Sequence, residues 1–506
     1  MFKRLTEEEY AKRAAGRART AVFREFLADR ETPVAALSRL GADEDAFLLE
    51  SVSGGEQRGR YSYLGIEPQA VLEEREGRVL LRRKGAAQSE TLPDSSALDA
   101  LRRMFAETGY EAAPELPPLQ GGAVGYVAYD AIRTFEPRVA LSFEPGTPQA
   151  AFLLTDTLLV FDNVRDTVTI VVVVDNAAHA NAHEAYGWAG RRIDEVYERV
   201  LSAKSIARLA DSLGAGAERA QDGAGPATQG EFESEMTERE FCEMVEKCKE
   251  AIRSGEVIQI VPSQKFTVKT RVGALPLYRA LRTVNPSPYN FLMRIGGKTL
   301  IGSSPEELVK LSGRKASTAP IAGTRPRGKT RADDMALERE LVGDEKERAE
   351  HIMLVDLGRN DLGRVCETHS VKVESLAHVE RYSHVMHLVS NVSGTLAGES
   401  DAFDLLRATF PAGTLSGAPK IRAMELIAAF EKSPRGVYGG AAGFFSLTGD
   451  MDFAIVIRTM VLERGVLTMR SGAGIVADSD AHKEYCETIN KAKAAFEAVR
   501  FAEELS

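Results

Sequence analysis

Short apolar runs closed off by turn residues, more than long helical periods, set the pattern of this chain. In its first part, residues 46–51, 61–66 and 123–129 read as strands. Residues 152–161 and 168–174 read as the arms of a hairpin turning at Asp162 and Asn163, and the longest apolar stretch, 170–174, predicts a buried strand. Helical periodicity marks 7–28 and 182–201. From 211 to 230, DSLGAGAERAQDGAGPATQG replaces apolar periodicity with glycine, alanine and polar residues, which reads as a linker.

Beyond it, 237–253 predicts a helix capped by Thr237 and ended by Ser254 and Gly255. Strands at 291–295 and 299–302 flank a Gly296-Gly297 turn, and 437–445, 454–462 and 466–471 read as a meander. Further helices are expected at 335–356, 401–409, 420–430 and 481–504. Hairpins dominate over β-α-β alternation, so the expected class is α+β, mainly antiparallel sheets clad by helices. The chain then divides into residues 1–210, a linker at 211–232, and 233–506.

Composition adds limits. At 506 residues and 44% hydrophobic content the chain is long enough for two or more domains with large cores. Its net charge of −10 disfavours broad nucleic-acid or anionic-membrane binding, so an anion site must be a local basic patch. Residues 314–331 form the clearest one, with Arg314, Lys315, Arg325, Arg327, Lys329 and Arg331. Within it Gly323–Thr330 matches the G-x-x-x-x-G-K-[ST] pattern of a nucleotide-binding P-loop. Pro326 lacks the N–H such a loop needs and the two arginines crowd the turn, so a small acidic metabolite is the better guest. Four cysteines without a C-x-x-C pair suit a reducing cytosol. The first residues lack the apolar core of a signal peptide, and no run is long enough to span a bilayer, so a cytoplasmic, membrane-free protein is expected.

Candidate chemistry sits on the predicted helices and loops. Glu347 and Glu350 share one helical face, as do Glu484 and Glu487. Four converging carboxylates would make a hard, all-oxygen site suited to Mg²⁺; the bland alternative is two solvated faces. Apolar residues 352–355 weigh toward a buried helix, where unpaired carboxylates call for a cation. His384 and His387 have no cysteine or H-E-x-x-H context for zinc and suit a core position or general acid–base work. PAGTLSGAPK at 411–420 and SGAG at 471–474 are loops able to bring backbone N–H groups to an anion.

Taken in order, IQIVPSQ (258–264), IGSSPE (301–306), PIAGTRPRG (320–328), DEKERAEHIMLVDLGRND (344–361), HVMH (384–387) and PAGTLSGAPK (411–420), then VYGGAAG, IVIRT, SGAGIV and ETINKAK, resemble the chorismate-binding enzyme family. The resemblance covers the whole chain and implies a sandwich of antiparallel sheets with helices outside. Members that add water carry a lysine base where this chain has Gln259, and a neutral amide cannot deprotonate water. Aminodeoxychorismate synthases use a lysine nucleophile where this chain has Ala322. What the resemblance implies is therefore ammonia attack at C2 of chorismate, loss of the C4 hydroxyl, and elimination of pyruvate to leave an aromatic ring. An aminodeoxychorismate synthase is the rival within the family; a P-loop nucleotide-binding protein and a non-catalytic tryptophan-binding regulator are the rivals outside that chemistry.

The same resemblance distributes roles. Glu306 is expected as general acid for the departing hydroxyl, with His387 and Thr414 completing the catalytic set. Gly323, Thr324, Tyr438, Arg458, Gly472, Ala473, Gly474 and Lys491 are expected around the substrate, and Glu347, Glu350, Glu484 and Glu487 around Mg²⁺. No cysteine lies in a glutaminase-like nucleophile elbow, so ammonia is expected from a separate glutamine amidotransferase subunit in a hetero-oligomer, or from free ammonium. The N-terminal region is expected to sense L-tryptophan through Glu50, Ser51, Pro288, Tyr289 and Asn290, the last standing where the family carries methionine.

Overall fold

Strand formers that alternate poorly in sequence turn out to be buried on both faces. The computed structural model describes residues 2–41, 44–51, 59–143, 146–202, 228–381 and 385–504. Among them, two large sheets face one another and helices cover their outer sides. The first sheet has eleven strands, in spatial order Arg19–Leu27, Thr167–Asp175, Thr157–Asp162, Tyr61–Ile66, Ala46–Glu50, Tyr289–Ile295, Lys298–Ser304, Thr459–Glu463, Val466–Gly472, Ser263–Thr270 and Thr228–Ser234. The second has twelve, running from Ile321–Pro326 through Val385–Thr395, Lys315–Thr318, Glu307–Ser312, Met451–Ile455, Ala441–Ser446, Gly122–Val127 and Ala150–Thr155 to Ala70–Arg75, Arg78–Arg83 and Glu90–Leu92. Its twelfth strand, Lys372–Arg381, pairs with Val385–Thr395. Neighbours within both sheets pair antiparallel, in keeping with the expected α+β sandwich.

The strand Gly122–Val127 shows why periodicity was weak. Val124 and Tyr126 enter the core between the sheets, whereas Ala123 and Val127 join the core beneath the outer helices, so all six residues are buried. Both sheets draw strands from both halves of the chain. Ala46–Glu50 pairs with Tyr289–Ile295 in the first sheet, and Gly122–Val127 with Ala441–Ser446 in the second.

Several expectations are corrected by tertiary contacts. The helix expected at 7–28 stops at Ala14; Gly16 at φ +71° breaks it, and Arg19–Leu27 pairs with Thr167–Asp175 along its whole length. Thr20, Val22, Phe23 and Phe26 suit a pleated, half-covered surface better than a helix. The helix expected at 335–356 is two helices, Arg331–Gly343 and Glu345–Gly363. Asp344 interrupts them because its carboxylate accepts from the N–H groups of Lys346 (3.0 Å) and Glu347 (3.1 Å) as an N-cap. Of the predicted linker, residues 211–227 lie outside the described residues, and Thr228–Ser234 is a strand.

Two apolar runs that read as single strands change sheets midway. The run 152–161 switches at Asp156 from Ala150–Thr155 in the second sheet to Thr157–Asp162 in the first. The run 454–462 switches between Met451–Ile455 and Thr459–Glu463, with Arg458 at φ +48° in the bend. A third switch joins Lys298–Ser304 in the first sheet to Glu307–Ser312 in the second, and Glu306 stands in it.

Candidate active site

The last two switches lie side by side. Ile455 N–H donates to Glu306 O at 3.0 Å, Ser303 N–H to Arg458 O at 3.3 Å, and Ser304 Oγ to Ile455 O at 2.6 Å. A strand that leaves one sheet for another frees its side chains from the flat pleat, so the acid and the guanidinium both come to the same corner of the sandwich. Arg458 is steadied by Asn285, whose Oδ1 accepts from Nη1 at 3.1 Å.

Glu306 is buried, and one hydroxyl holds its carboxylate: Thr414 Oγ1 donates to Oε1 at 2.9 Å. Burial pushes the Glu306 carboxyl up to about 7, against the opposing pull of Thr414, Lys491 and Arg458. It is thus an acid that carries its proton close to neutrality, the state a general acid needs. A cavity of about 40 Å³ lies beside it, lined by Thr414, Leu354 and Asp361 among others. Thr414 is presented by a single 3₁₀ turn, Gly413–Leu415, which packs its Gly413 against Leu357.

The strands Ile321–Pro326 and Val385–Thr395 bring the next pair together. His387 Nδ1 lies 3.1 Å from Gly323 O and 3.0 Å from Thr324 Oγ1. A carbonyl only accepts, so Nδ1 carries the proton and Nε2 keeps a lone pair. Burial lowers the His387 pKa, which favours this neutral form. Gly323 sits at φ +66° in a bulge, where an added Cβ would meet Leu341 at 2.9 Å and Glu347 Oε2 at 3.2 Å.

The basic patch expected here to hold an acidic metabolite is a correction. Arg325 is spent on Glu340, Asp344 and Glu347, and Arg327 on Asp334. The P-loop reading fails for a related reason. Gly323 and Thr324 lie in an antiparallel strand, Gly328 N–H goes to Asp334 at 2.7 Å, and Thr330 caps a helix with its own N–H on Asp333 at 3.0 Å, so the segment is strand and helix cap rather than a run of consecutive amides wrapped around a phosphate.

A second wall comes from the strand Val466–Gly472 and the helix Ala481–Glu504. Lys491 Nζ donates to Gly472 O at 3.1 Å and pairs with Glu487 at 2.7 Å. A Cβ on Gly472 would stand 2.6 Å from Pro262 O and 2.8 Å from the Tyr438 hydroxyl, so this strand and the Tyr438 ring approach only because the residue is glycine. Tyr438 is buried, which pushes its hydroxyl up to about 12 and keeps it a neutral donor. Ala473 N–H donates to Pro262 O at 3.1 Å, and Gly474 lies against Gln259. Gln259 Nε2 donates to Glu350 Oε1 at 3.0 Å, while its Oε1 is buried with no hydrogen-bond partner among the described residues.

The four acids expected around a metal remain two pairs. Within each, the partners repel: burial and Glu350 push Glu347 up, and burial and Glu487 push Glu484 up. Lys346 and Lys491 both act on Glu484, so the two helices present their acids toward common ground. The donor chemistry, oxygen-only and charge-crowded, fits a hard divalent cation. Among the described residues, no three His, Cys, Asp or Glu side chains gather closely enough to hold a metal ion without the side chains moving toward it. Arg325 pairs with Glu347 at 3.3 Å and Lys491 with Glu487 at 2.7 Å.

A separate cavity of about 760 Å³ opens between the sheets. All five residues expected to sense an effector line it, namely Glu50, Ser51, Pro288, Tyr289 and Asn290, together with Tyr61, Tyr63 and Phe444. The pairing of Glu50 with Asn290 across neighbouring strands brings the two sequence segments together. The Asn290 amide is satisfied within the protein, by Ser287 O at 2.6 Å and by Ser303 Oγ at 2.8 Å.

His384 lies outside the described residues, so its place relative to His387 is not described. The residues that sequence reasoning passed over are Asp130, Glu431 and Arg435. Asp130 and Arg435 are buried and the Glu431 side chain is 4% exposed, and their only signal was Arg435 standing just ahead of the VYGGAAG segment.

Comparison with known proteins agrees with this architecture. The chorismate binding enzyme family matches residues 44–497, and the chain belongs to that family. The chain is similar to anthranilate synthase component 1 of Acetivibrio thermocellus, 41% identical over 96% of each chain. It is also similar to the Streptomyces coelicolor protein of the same name, 46% identical over 95% of this chain and 89% of the relative. The crystal structure of anthranilate synthase component I from Streptococcus pneumoniae aligns with TM-score 0.70 and 35% identity, covering 93% of this chain and 99% of that one. The menaquinone-specific isochorismate synthase of Escherichia coli, 19% identical with TM-score 0.68 over 96% of this chain and 95% of its own, shares the fold. Among the described residues, no helix is long and apolar enough to cross a membrane.

Proposed function

We propose that the chain is the chorismate-binding component of an anthranilate synthase, converting chorismate and ammonia to anthranilate and pyruvate. The observation that carries this reading is the corner built by the two sheet switches. It holds a buried carboxylic acid near its neutral form beside Arg458 and Lys491, with Gln259 and Ala322 where water activation or a lysine adduct would need an amine. Arg458, Lys491 and the Gly472–Gly474 backbone hold the substrate's carboxylates, and Tyr438 donates from the same wall. Glu306, oriented by Thr414, gives its proton to the departing C4 hydroxyl. His387, neutral and fixed through Nδ1 by Gly323 O, offers Nε2 to the proton lost as pyruvate leaves. Gly323 and Thr324 close that side of the pocket.

Glu347, Glu350, Glu484 and Glu487 would hold Mg²⁺, which would supply Lewis-acid polarisation and a template for the ring carboxylate. Ammonia would come from a glutamine amidotransferase subunit in a hetero-oligomer. L-Tryptophan, an indole with an ammonium and a carboxylate, suits the aromatic cavity between the sheets and its Glu50 rim, and is proposed as the inhibitor. Four cysteines without a C-x-x-C pair suit a reducing compartment, and the cytoplasm is proposed on that usage.

The test is direct. Purified chain with chorismate, MgCl₂ and ammonium yields anthranilate and pyruvate in equal amounts by chromatography, and chelating the metal stops it. Isochorismate, or an amino intermediate that retains the pyruvyl group as an aminodeoxychorismate synthase would leave it, overturns the proposal.

A further inference from the structure

Arg435 follows the helix Lys420–Phe430, and its side chain is 1% exposed. Its Nε donates to both carboxylate oxygens of Glu431, at 3.1 and 3.0 Å, and its Nη2 to Glu431 Oε1 at 2.6 Å. Nη2 also reaches Val261 O at 2.6 Å, and Nη1 reaches Leu415 O at 2.6 Å. The guanidinium lies 4.5 Å from the centre of the Tyr129 ring and 5.7 Å from that of Tyr438. Glu431 in turn receives Ser263 N–H at 2.8 Å and Ser263 Oγ at 2.9 Å. Asp130 receives the backbone N–H groups of Arg435 (3.3 Å) and Gly436 (2.9 Å), which fixes the loop from the other side.

Each partner adjoins a residue of the pocket. Leu415 follows Thr414, which orients Glu306; Val261 stands two residues from Gln259; Tyr438 faces Gly472. A buried ion pair seldom adds more stability than apolar packing of the same volume, so its use here calls for a geometric reason. A planar guanidinium supplies one: it fixes three directions at once, which an ammonium cannot.

We propose that Arg435 is a positioning residue of the reaction, clamping the segments that carry Thr414, Gln259 and Tyr438 into one rigid wall and thereby holding the Thr414 hydroxyl on Glu306. The proposal rests on the reading of this pocket as the chorismate site.

The test replaces Arg435→Lys in the full chain, with turnover of chorismate followed at constant free ammonia across pH. The groups around Glu306 are Thr414, Arg458, Lys491, and Asp361 with its partner Lys420; of these, Arg435 controls Thr414 through Leu415. The variant folds, kcat falls on the order of 10²-fold, as for a displaced catalytic group, and KM changes less than about threefold. The alkaline limb of kcat moves to higher pH, because the lost hydroxyl contact favoured the carboxylate, and Thr414→Val reproduces that displacement. Should R435K fail to fold, Glu431→Gln carries the test with the same displacement expected. Folded R435K, or in its absence E431Q, with wild-type kcat and pH profile overturns the proposal whatever its melting temperature. The wild-type control separates two failures. No anthranilate from wild type overturns the functional reading and this proposal with it, whereas equal turnover by wild type and variant overturns this proposal alone.

Discussion

Glu306 and Glu50 are both buried glutamates pushed up by burial, yet their surroundings differ in kind. Glu50 is held at Oε2 by Tyr278 Oη at 2.5 Å and Arg282 Nη1 at 3.2 Å, a donor and a countercharge both in direct contact. Glu306 keeps one hydroxyl contact, and its cations Arg458 and Lys491 act on it without touching it. The first arrangement makes a stable wall for a preformed cavity; the second stores an unrelieved cost that a substrate can use. A carboxylate with its countercharge in contact is a fixed wall, whereas one whose cations stand off has the perturbed acidity that catalytic groups show.

Glu306→Gln tests that contrast most severely. A Gln cannot donate the proton, so kcat should fall about 10²–10⁴-fold, while calorimetric binding of tryptophan to the inter-sheet cavity persists. Equal loss of both functions would erase the distinction between the sites.

Stability should move the opposite way. The folded Glu306 carboxyl titrates at about 7 against an ordinary 4.5, so the folded state retains a proton that the unfolded state releases across that window. Stability from this group is therefore full below about 4.5 and lost as pH rises through 7. Glu306→Gln should make the protein about 3 kcal/mol more stable at pH 8 and change nothing at pH 4, read by denaturant titration at both. A variant no more stable at pH 8 would mean that the acid carries no stored cost.

The smallest effect belongs to Glu50, whose countercharge is in contact. Glu50→Gln keeps an acceptor for Tyr278 but removes the charge, and should weaken tryptophan binding about tenfold, or 1.4 kcal/mol, in the same calorimetric experiment. Unaltered affinity would remove Glu50 from the effector site.

Much of the site was legible in the sequence because its motifs are short and local. Thr237 capping the helix Glu238–Arg253 and the turn at Gly296 and Gly297 stand where the pattern put them, while Glu50 and Asn290, singled out by resemblance alone, line one cavity. The strand Arg19–Leu27 was hidden because a helix-like charge pattern runs on past Gly16, and only pairing with Thr167–Asp175 overrides it. Asp344 was hidden because a cap in the middle of a charged stretch looks like another surface acid. The Arg325 and Arg327 patch misled for the converse reason: its counterions lie up to 22 residues away and do not show in a local window.

By itself the sequence determined the antiparallel, helix-clad class of the fold, the family, and the absence of a lysine at 259 and 322, since side-chain identity at a motif position is a local property. Only the tertiary structure decided which sheet each apolar run joins, that Glu306 and Arg458 come to the same corner at two adjacent switches, and that Arg325 and Lys491 pair with two of the four helix acids. It also revealed the Arg435–Glu431 clamp. Those outcomes depend on burial and on partners distant along the chain, and a carboxyl group's acidity is set by what surrounds it in space.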